Sequence, residues 1–193
     1  NSSQIFWPAM NINTFNGWEA DYAAALKMES TGVLTIPGIP DTDQEIELQQ
    51  GWNYLPVITN CNIAVSDLAA TVPEGIEMIK EIAGYRIYWP AQGIATLEVL
   101  EVGKAYLIRL ANDLTLSFPP CTDAQPTSLS YTVPASWNQP HATPGSHIIS
   151  IDHRNVEGLQ PGDFVGVFTQ NGICAGCIEV GSRPVVLSVF ADD

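Results

Sequence analysis

Basic residues are scarce in this chain of 193 residues, which has 7 Lys and Arg against 21 Asp and Glu. The formal net charge of −14 repels polyanions, and no basic patch is present that would neutralise a phosphate backbone. Nucleic acid is therefore excluded as an expected partner. Charged residues of both signs make up only 15% of the chain and hydrophobic residues 46%, a balance that excludes generic disorder.

Long apolar runs are absent too, and no uninterrupted stretch is long enough to span a bilayer. We therefore expect no membrane insertion. Cysteine is sparse, and the four residues permit three pairings and force none. They are Cys61, Cys121, Cys174 and Cys177.

An internal repeat is the most informative feature that the sequence does contain. Residues 5–37 align without a gap to residues 87–119, at a constant offset of 82, and ten of the 33 aligned pairs are identical. The identical residues of the first copy are Ile5, Trp7, Pro8, Ala9, Ile12, Thr14, Glu19, Ala23, Leu34 and Pro37. This similarity indicates a duplicated structural unit.

The first copy is predicted to be only the back half of that unit. Segments 51–56, 63–72 and 75–85 precede the second copy, and nothing equivalent precedes Ile5. Because a half unit cannot bury its apolar face alone, it must pack on the second unit or on a partner. We expect either a fragment of a longer chain or a subunit that neighbouring copies complete by strand addition.

Short apolar segments between turn residues predict an all-β fold with at most short helices. Residues 1–44 are predicted to be the half repeat and 45–122 the full repeat. Residues 128–193 are predicted to be a β-sandwich-like module that is incomplete at its C-terminal end.

Local patterns predict the individual elements. Residues 76–82 and 85–89 are predicted to form a hairpin, with a helix over 74–83 as the alternative. A short helical turn capped by Ser66 is predicted over 65–70. Residues 105–110 and 114–118 are predicted to pair with each other, and the corresponding strands of the first copy are 23–28 and 33–36. In the last module, strands are predicted at 129–133, 147–151, 164–168, 173–180 and 185–190.

Two groups of motifs resemble modules that recur in large secreted proteins of Bacteroidota. The first group is Gly51-Trp52, Gly84, Tyr88-Trp89-Pro90, Ile94-Ala95-Thr96-Leu97 and Gly103-Lys104-Ala105-Tyr106. The second group is the run from Leu159 to Phe168 followed by Gly172-Ile173-Cys174-Ala175-Gly176. The chain departs from the usual patterns in having Ala105 for a glycine, Phe164 for a glutamate and Cys177 for an alanine.

The resemblance implies an extracellular, cell-surface location, with adhesin-like regions and export by the type IX route. It implies no reaction. In the similar C-terminal module, further strand sequence normally follows the position of Ala191. The partners expected on this basis are other copies of the chain or flanking domains of a longer one.

The two Trp-Pro pairs are predicted to belong to the repeat core, because equivalent positions in repeats usually pack against one another's neighbours inside the fold. They are Trp7, Pro8, Trp89 and Pro90. Trp52 and Trp137 remain as exposed platforms for sugar rings, and Trp137 is the stronger candidate because it lies in a polar loop. Glycan binding is therefore the alternative function.

Cofactors are not expected, with calcium as the one metal to consider. Asp41, Asp43 and Glu45 offer oxygen ligands, although they lack the spacing of an EF-hand, and a solvated linker is the favoured interpretation. In an oxidising compartment, Cys61 and Cys121 are predicted to form a disulfide across the flanks of the full repeat.

Redox or zinc chemistry at the Cys174–Cys177 pair is a minor alternative to buried thiols or to bridges with other cysteines. The sequence has no nucleophile elbow, metalloprotease motif, P-loop or dinucleotide fingerprint. We therefore predict a non-enzymatic structural or adhesive module, a building block of a larger surface protein or fibre.

Overall fold

The structure, a computed structural model, describes residues 4–17, 22–28, 30–33, 35, 44–121, 124–126, 133–152, 156–181 and 185–191. Those residues form short strands, two 3-10 turns and the helix α1 (Val65–Thr71), so the predicted all-β fold with at most short helices is confirmed. Within them, no helix has the length and hydropathy needed to cross a membrane.

Fifteen strands occur among the described residues, and we number them in chain order. They are β1 (Phe6–Trp7), β2 (Ile12–Asn13), β3 (Glu45–Leu48), β4 (Gly51–Pro56), β5 (Ile63–Ala64), β6 (Ile76–Glu81), β7 (Ile87–Trp89), β8 (Ile94–Ala95), β9 (Val99–Leu100), β10 (Ala105–Leu110), β11 (Leu114–Ser117), β12 (Ser146–Ile151), β13 (Phe164–Phe168), β14 (Cys174–Glu179) and β15 (Val185–Phe190). The 3-10 turns span Pro8–Met10 and Pro90–Gln92.

The middle of the chain contains a five-stranded antiparallel sheet in the order β4-β10-β6-β7-β8. The predicted hairpin is confirmed, because β6 pairs with β7 and no helix forms there. The predicted pairing of 105–110 with 114–118 is wrong, since β11 pairs with β3. The reason is that both edges of β10 are already occupied by β4 and β6, which leaves β11 no free backbone on it.

Alternation of acidic and apolar residues explains why β3 accepts β11. In the sequence Glu-Ile-Glu-Leu, Ile46 and Leu48 are buried while the two glutamates are exposed, as expected for a strand with one face on a core. Ile46 lies directly opposite Leu116 in the pair, and Leu48 lies opposite Leu114. The register therefore places apolar side chains of both strands on the inner face.

The main hydrophobic core lies between the five-stranded sheet, the β3–β11 and β5–β9 pairs and α1. Its buried members all fall between residues 46 and 118. They are Ile46, Leu48, Leu55, Val57, Ile63, Val65, Leu68, Ile76, Ile79, Leu97, Leu100, Tyr106, Ile108, Leu110, Leu116 and Phe118.

Helix α1 begins directly where β5 ends. Its N-cap is Ala64 in an extended conformation without a side-chain cap, so the prediction that Ser66 caps the helix is wrong. Backbone contacts fix the start of the helix instead, because Ala64 pairs with Val99 and the amide of Val65 donates to the carbonyl of Glu98 at 2.8 Å. This backbone hydrogen bond thus satisfies an N–H group of the first helical turn, as a capping side chain does in other helices.

The C-terminal part contains two antiparallel pairs, β12 with β15 and β13 with β14. The four predicted strands from residue 147 onward are confirmed, with ends that differ by one residue, while 129–132 lie outside the described residues. Strand β14 also packs closely on β15 at Gly176, where an added Cβ would clash with the carbonyl of Ser188 and lie 3.1 Å from the Cα of Val189.

Side chains connect the middle of the chain with the C-terminal part. The hydroxyl of Tyr85 donates to the carbonyl of Pro140 at 2.8 Å, and its ring meets Phe190 edge-on at a centroid distance of 5.0 Å. Beside this contact, the ammonium of Lys80 donates to the hydroxyl of Ser146. The sheet face that carries Lys80 is therefore in contact with β12.

Candidate functional site

The two Trp-Pro segments of the repeat fold into nearly identical turns. Trp7 precedes its 3-10 turn at φ −130° and ψ 86°, and Trp89 does so at φ −138° and ψ 86°. Each turn ends on a left-handed residue, Asn11 at φ 54° and Gly93 at φ 65°. Proline suits the first turn position because its φ is already helical and its missing N–H would have no partner there.

A threonine closes each turn in the same way. The amide of Ile5 donates to Thr14 Oγ1 at 2.8 Å, and the amide of Ile87 donates to Thr96 Oγ1 at 2.9 Å. Each threonine hydroxyl in turn donates to the carbonyl of the same isoleucine. The sequence repeat is therefore a repeat of local backbone structure, with equivalent hydrogen bonds.

Burial differs sharply between the two copies. Ile87 is 3% exposed and Ile108 is fully buried, whereas the equivalent Ile5 is 49% exposed and Leu26 is 57% exposed. The exposed apolar residues of the first turn form what we call the N-terminal apolar surface. They are Ile5, Phe6, Trp7, Met10 and Ile12.

The segments after that turn differ as well. Residues 105–110 form β10, but the equivalent residues 23–28 form no strand, which contradicts the prediction for the first copy. Of the second predicted strand, 33–36, residues 34 and 36 lie outside the described residues, and the other two form no strand. Strand β10 exists because β4 and β6 flank it, and the segment 23–28 has no flanking strands among the described residues.

The prediction that the four Trp-Pro positions belong to the core is wrong in this structure. Trp7, Pro8 and Pro90 are exposed, and Trp89 is half-buried. The physical reason is that each proline opens a turn at the corner between two very short strands, where the chain reverses at the rim of the sheet. What the repeat retains at these positions is the turn geometry.

Trp52 is exposed as predicted, and it has an aromatic neighbour that the sequence analysis missed. Trp52 is 49% exposed and Tyr54 is 58% exposed, and as alternate residues of β4 they share one face. The strand β4 lies at the edge of the five-stranded sheet, and Arg109 lies opposite Trp52 on β10. The period-two spacing of two aromatics was the signal that would have found this platform.

Trp137 does not form an exposed platform, which corrects the second half of that prediction. Its ring meets Phe168 edge-on at 5.0 Å and Phe164 at 6.4 Å. The ring also covers Gly166 of β13, where an added Cβ would lie 2.7 Å from it. Trp137 therefore packs on the β13–β14 pair and is half-buried.

The calcium candidates are not brought together by the described structure. Asp41 and Asp43 lie outside the described residues, and Glu45 is the exposed first residue of β3, where it accepts a hydrogen bond from the hydroxyl of Ser117 at 2.8 Å. No group of three or more potential metal ligands occurs within the part of the chain that the structure describes.

A disulfide joins Cys61 to Cys121, the pair that the sequence analysis considered, with a Cα–Cα distance of 5.8 Å. Cys61 lies just before β5, and Cys121 lies just after the last core residue, Phe118. The disulfide therefore fixes the two ends of a segment that carries most of the main core.

An ion cluster around Arg86 stabilises the five-stranded sheet at its rim. The guanidinium pairs with Glu81 and, at 2.8 Å, with Glu101, and Lys104 pairs with Glu101 at 2.9 Å. Burial works to lower the pKa of Arg86, but hydrogen bonds to the two carboxylates outweigh it and raise the pKa. The hydrogen bond from Arg86, with that from Lys104, lowers the pKa of Glu101. These charges satisfy one another, so the cluster has a structural role.

A small cavity of about 170 Å³ opens in the C-terminal part. Its walls include His141, Thr143, Cys174 and Phe190. It has room for a group of about the size of benzene, but it is smaller than sites for drug-sized molecules, which usually enclose about 300 Å³ or more.

Lys80 offers a test of how a buried cation affects stability. Its side chain is 9% exposed, desolvation by burial lowers its pKa, and no ion pair of Lys80 occurs among the described residues. Between the lowered folded pKa and the unfolded value of 10.5, the unfolded chain binds more protons, so stability should rise with pH across that window. We expect Lys80→Met to raise the free energy of unfolding at pH 7 by about 1 kcal/mol and to abolish the alkaline rise.

Urea unfolding at several pH values from neutral to alkaline measures both effects. Lys104→Met is the matched control, because Lys104 is about half exposed and should leave the alkaline rise intact. A Lys80→Met chain that is less stable than the natural one at pH 7 would contradict the expectation.

No protein-family model, no curated protein and no solved structure matches this chain.

Proposed function

We propose that this chain is a non-enzymatic, extracellular structural or adhesive module, a building block of a larger surface protein or filament. Its first half repeat assembles with strands of the kind found at residues 45–86, supplied by a neighbouring subunit or by flanking sequence. The observation that carries the proposal is the contrast between two turns of nearly identical geometry, one next to buried residues such as Ile87 and one whose apolar residues are exposed.

The second copy indicates what the missing partner contributes. There, β4 and β6 flank β10 and cover Ile108 and Leu110, which are 0% and 1% exposed. The equivalent Leu26 and Met28 are 57% and 55% exposed. Burial of each such side chain contributes about 1.5–3 kcal/mol, so a strand-rich partner gains several such terms on docking.

The charged residues of the two copies also indicate a partner strand that resembles β6. Arg109 of β10 pairs with Glu77 of β6 at 2.8 Å, and Lys27 occupies the equivalent position in the first copy. A partner strand that resembles β6 therefore brings an acidic residue to Lys27. Cross-strand pairs of opposite charge stabilise a sheet modestly and help to fix its register.

The numbers of front and back halves of the repeat within residues 1–193 do not match. The sequence contains two back halves, 5–37 and 87–119, but a single front half, 45–86, which is already occupied by the second of them. Identical copies that only exchange this front half leave one back half per chain uncovered. A second front half, from a different subunit or from sequence that flanks residues 1–193, is therefore needed to cover it.

The disulfide supports the extracellular location. Structural disulfides form and persist in oxidising compartments and are rare in the cytosol. The Cys61–Cys121 bond is located at the edge of the main core and has the Cα separation of ordinary disulfides.

Fusion of the missing half tests the proposal. A second copy of residues 45–86 placed directly before Ile5 recreates the natural junction between residues 86 and 87. We expect residues 23–28 to become a strand like β10, and amide hydrogen exchange over 22–28 to slow about 100-fold, as two buried apolar side chains would require.

The matched control carries Leu55→Asp and Ile79→Asp in the added copy alone, which leaves the original module intact. Exchange over 22–28 should then remain as fast as in the natural chain. Unchanged exchange in the unmodified fusion would overturn the proposal.

A glycan-binding role is the second candidate, and the exposed pair Trp52 and Tyr54 favours it. Two flat aromatic side chains on one face of an edge strand present a surface on which sugar rings stack. The net charge of −14 makes a neutral polysaccharide the expected ligand, since acidic glycans are repelled.

Binding of a neutral polysaccharide should quench tryptophan fluorescence, and Trp52→Ala should abolish the quenching. Trp137→Phe is the control, because Trp137 is packed on β13 and should not contribute. Quenching that survives Trp52→Ala would exclude this platform.

A further inference from the structure

The pair Cys174 and Cys177 lies on β14 at a spacing that normally directs two side chains to opposite faces of a strand. The pairing of β14 with β13 shifts register at this point. Val167 pairs with Gly176 and Phe168 pairs with Cys174, so Ala175 is an extra residue without an opposite partner. This is a β-bulge. Because of it, Cys174 and Cys177, three residues apart in sequence, lie on the same face of the strand, as residues two apart normally do.

The bulge therefore brings both thiols to the same buried side of β14. Cys174 is 4% exposed and Cys177 is fully buried. The two side chains are in hydrogen-bonding contact, and Cys174 Sγ also lies 3.6 Å from the carbonyl oxygen of Gly176. Close approach of two thiols is the geometric requirement for a disulfide between them.

Access to the two sulfurs is unequal. Cys174 lines the cavity of about 170 Å³ together with His141 and Thr143, and Cys177 does not. A small reagent that enters the cavity meets Cys174 first. Cys177 then lies behind it, in the position of a resolving thiol.

We propose that Cys174 and Cys177 form a thiol–disulfide exchange site whose co-reactant is a small-molecule disulfide. Burial raises the pKa of Cys174, so the attack proceeds from its minor thiolate form and is fastest at alkaline pH. That thiolate attacks one sulfur of the external disulfide, and the external S–S bond breaks and releases one thiolate, which takes up the proton that Cys174 lost. Cys177, as thiolate, then attacks Cys174 Sγ and releases the second external thiol. Two protein thiols are oxidised to one disulfide, and one external disulfide is reduced to two thiols.

A metal centre is the competing use of such a pair. Stable zinc sites need about four ligands, and the described residues contain no group of three or more potential ligands. Thiol exchange needs only the two sulfurs. The Cys61–Cys121 disulfide shows that the fold already accommodates one oxidised pair elsewhere.

Bis(2-hydroxyethyl) disulfide, a compact and uncharged disulfide, is the probe that tests this site in the full chain at mildly alkaline pH. After incubation and denaturation without reductant, the chain should lose two hydrogens, about 2 Da, and both iodoacetamide-reactive thiols. Retention of both reactive thiols at a large excess of bis(2-hydroxyethyl) disulfide would overturn the proposal, as would oxidation that appears only as a linked dimer.

Two single variants test the order of attack. Cys177→Ser should accumulate a mixed disulfide with 2-mercaptoethanol on Cys174, whereas Cys174→Ser should remain unmodified because Cys177 is fully buried and does not line the cavity. An adduct on Cys177 in place of Cys174 would contradict the assigned roles. Circular dichroism confirms that each variant is folded, and the result on the natural chain decides the proposal if either is not.

Discussion

Reduction of the Cys61–Cys121 disulfide is expected to lower the free energy of unfolding by about 4 kcal/mol. The two cysteines are 60 residues apart, and the entropy that a cross-link removes from the unfolded chain grows with the logarithm of the loop it closes. The closed loop contains most of the main core, so the cross-link restrains, in the unfolded chain, the segment that forms this core.

Guanidinium unfolding with and without reductant measures this effect. Because a reductant would also act on an oxidised Cys174–Cys177 pair, the comparison is made in a Cys174→Ser/Cys177→Ser chain. The double variant Cys61→Ala/Cys121→Ala provides an independent value for the same loss. A decrease below about 1 kcal/mol in both measurements would show that the disulfide does not contribute as a long-range cross-link.

Gly176→Val is expected to destabilise the C-terminal part by about 3 kcal/mol or more, because the strands β14 and β15 approach too closely for a side chain. An added Cβ would meet the carbonyl of Ser188 and the Cα of Val189, and both are backbone atoms that cannot rotate away. The clash forces β14 and β15 apart and disturbs the adjacent Cys177.

Gly181→Val is the matched control for this substitution. Gly181 is exposed, has no atom within 4 Å of an added Cβ, and does not have a positive φ. Thermal unfolding should therefore show a large decrease in Tm for Gly176→Val and little change for Gly181→Val. Equal Tm values for the two variants would contradict the close approach described here.

The two candidate functions involve different surfaces and can be separated. Assembly concerns the N-terminal apolar surface and residues 23–28, while glycan binding concerns Trp52 and Tyr54 on β4. Substitution of Trp7 by Ser should weaken docking of a partner front half and leave polysaccharide quenching by Trp52 unchanged. Each role is thus tested without disturbing the other.

Local features of this fold were predictable from the sequence. Both Trp-Pro turns, the alternating strand β3, the hairpin of β6 and β7 and the C-terminal strands follow from residues close together in the chain. The repeat offset of 82 predicted a duplicated structural unit, and the structure shows equivalent turns in the two copies, because Pro, a left-handed residue and Thr at fixed spacing make the same hydrogen bonds.

Features that depend on distant partners were not predictable. The pairing of β11 with β3 required knowing that β4 and β6 occupy both edges of β10. The exposure of Trp7 and the packing of Trp137 on Gly166 depend on what lies nearby in space. The bulge at Ala175 depends on the register of β13, which the residues Cys-Ala-Gly-Cys do not encode alone.

The sequence by itself determined the all-β class, the duplication and the net charge of −14. The tertiary structure decided which copy is buried, which cysteines are linked and which aromatics face solvent. The physical reason is that turn and strand preferences act over a few residues, whereas burial and strand pairing are shared among segments tens of residues apart. The two Trp-Pro turns therefore share a backbone conformation but differ in their surroundings, according to the strands that flank them.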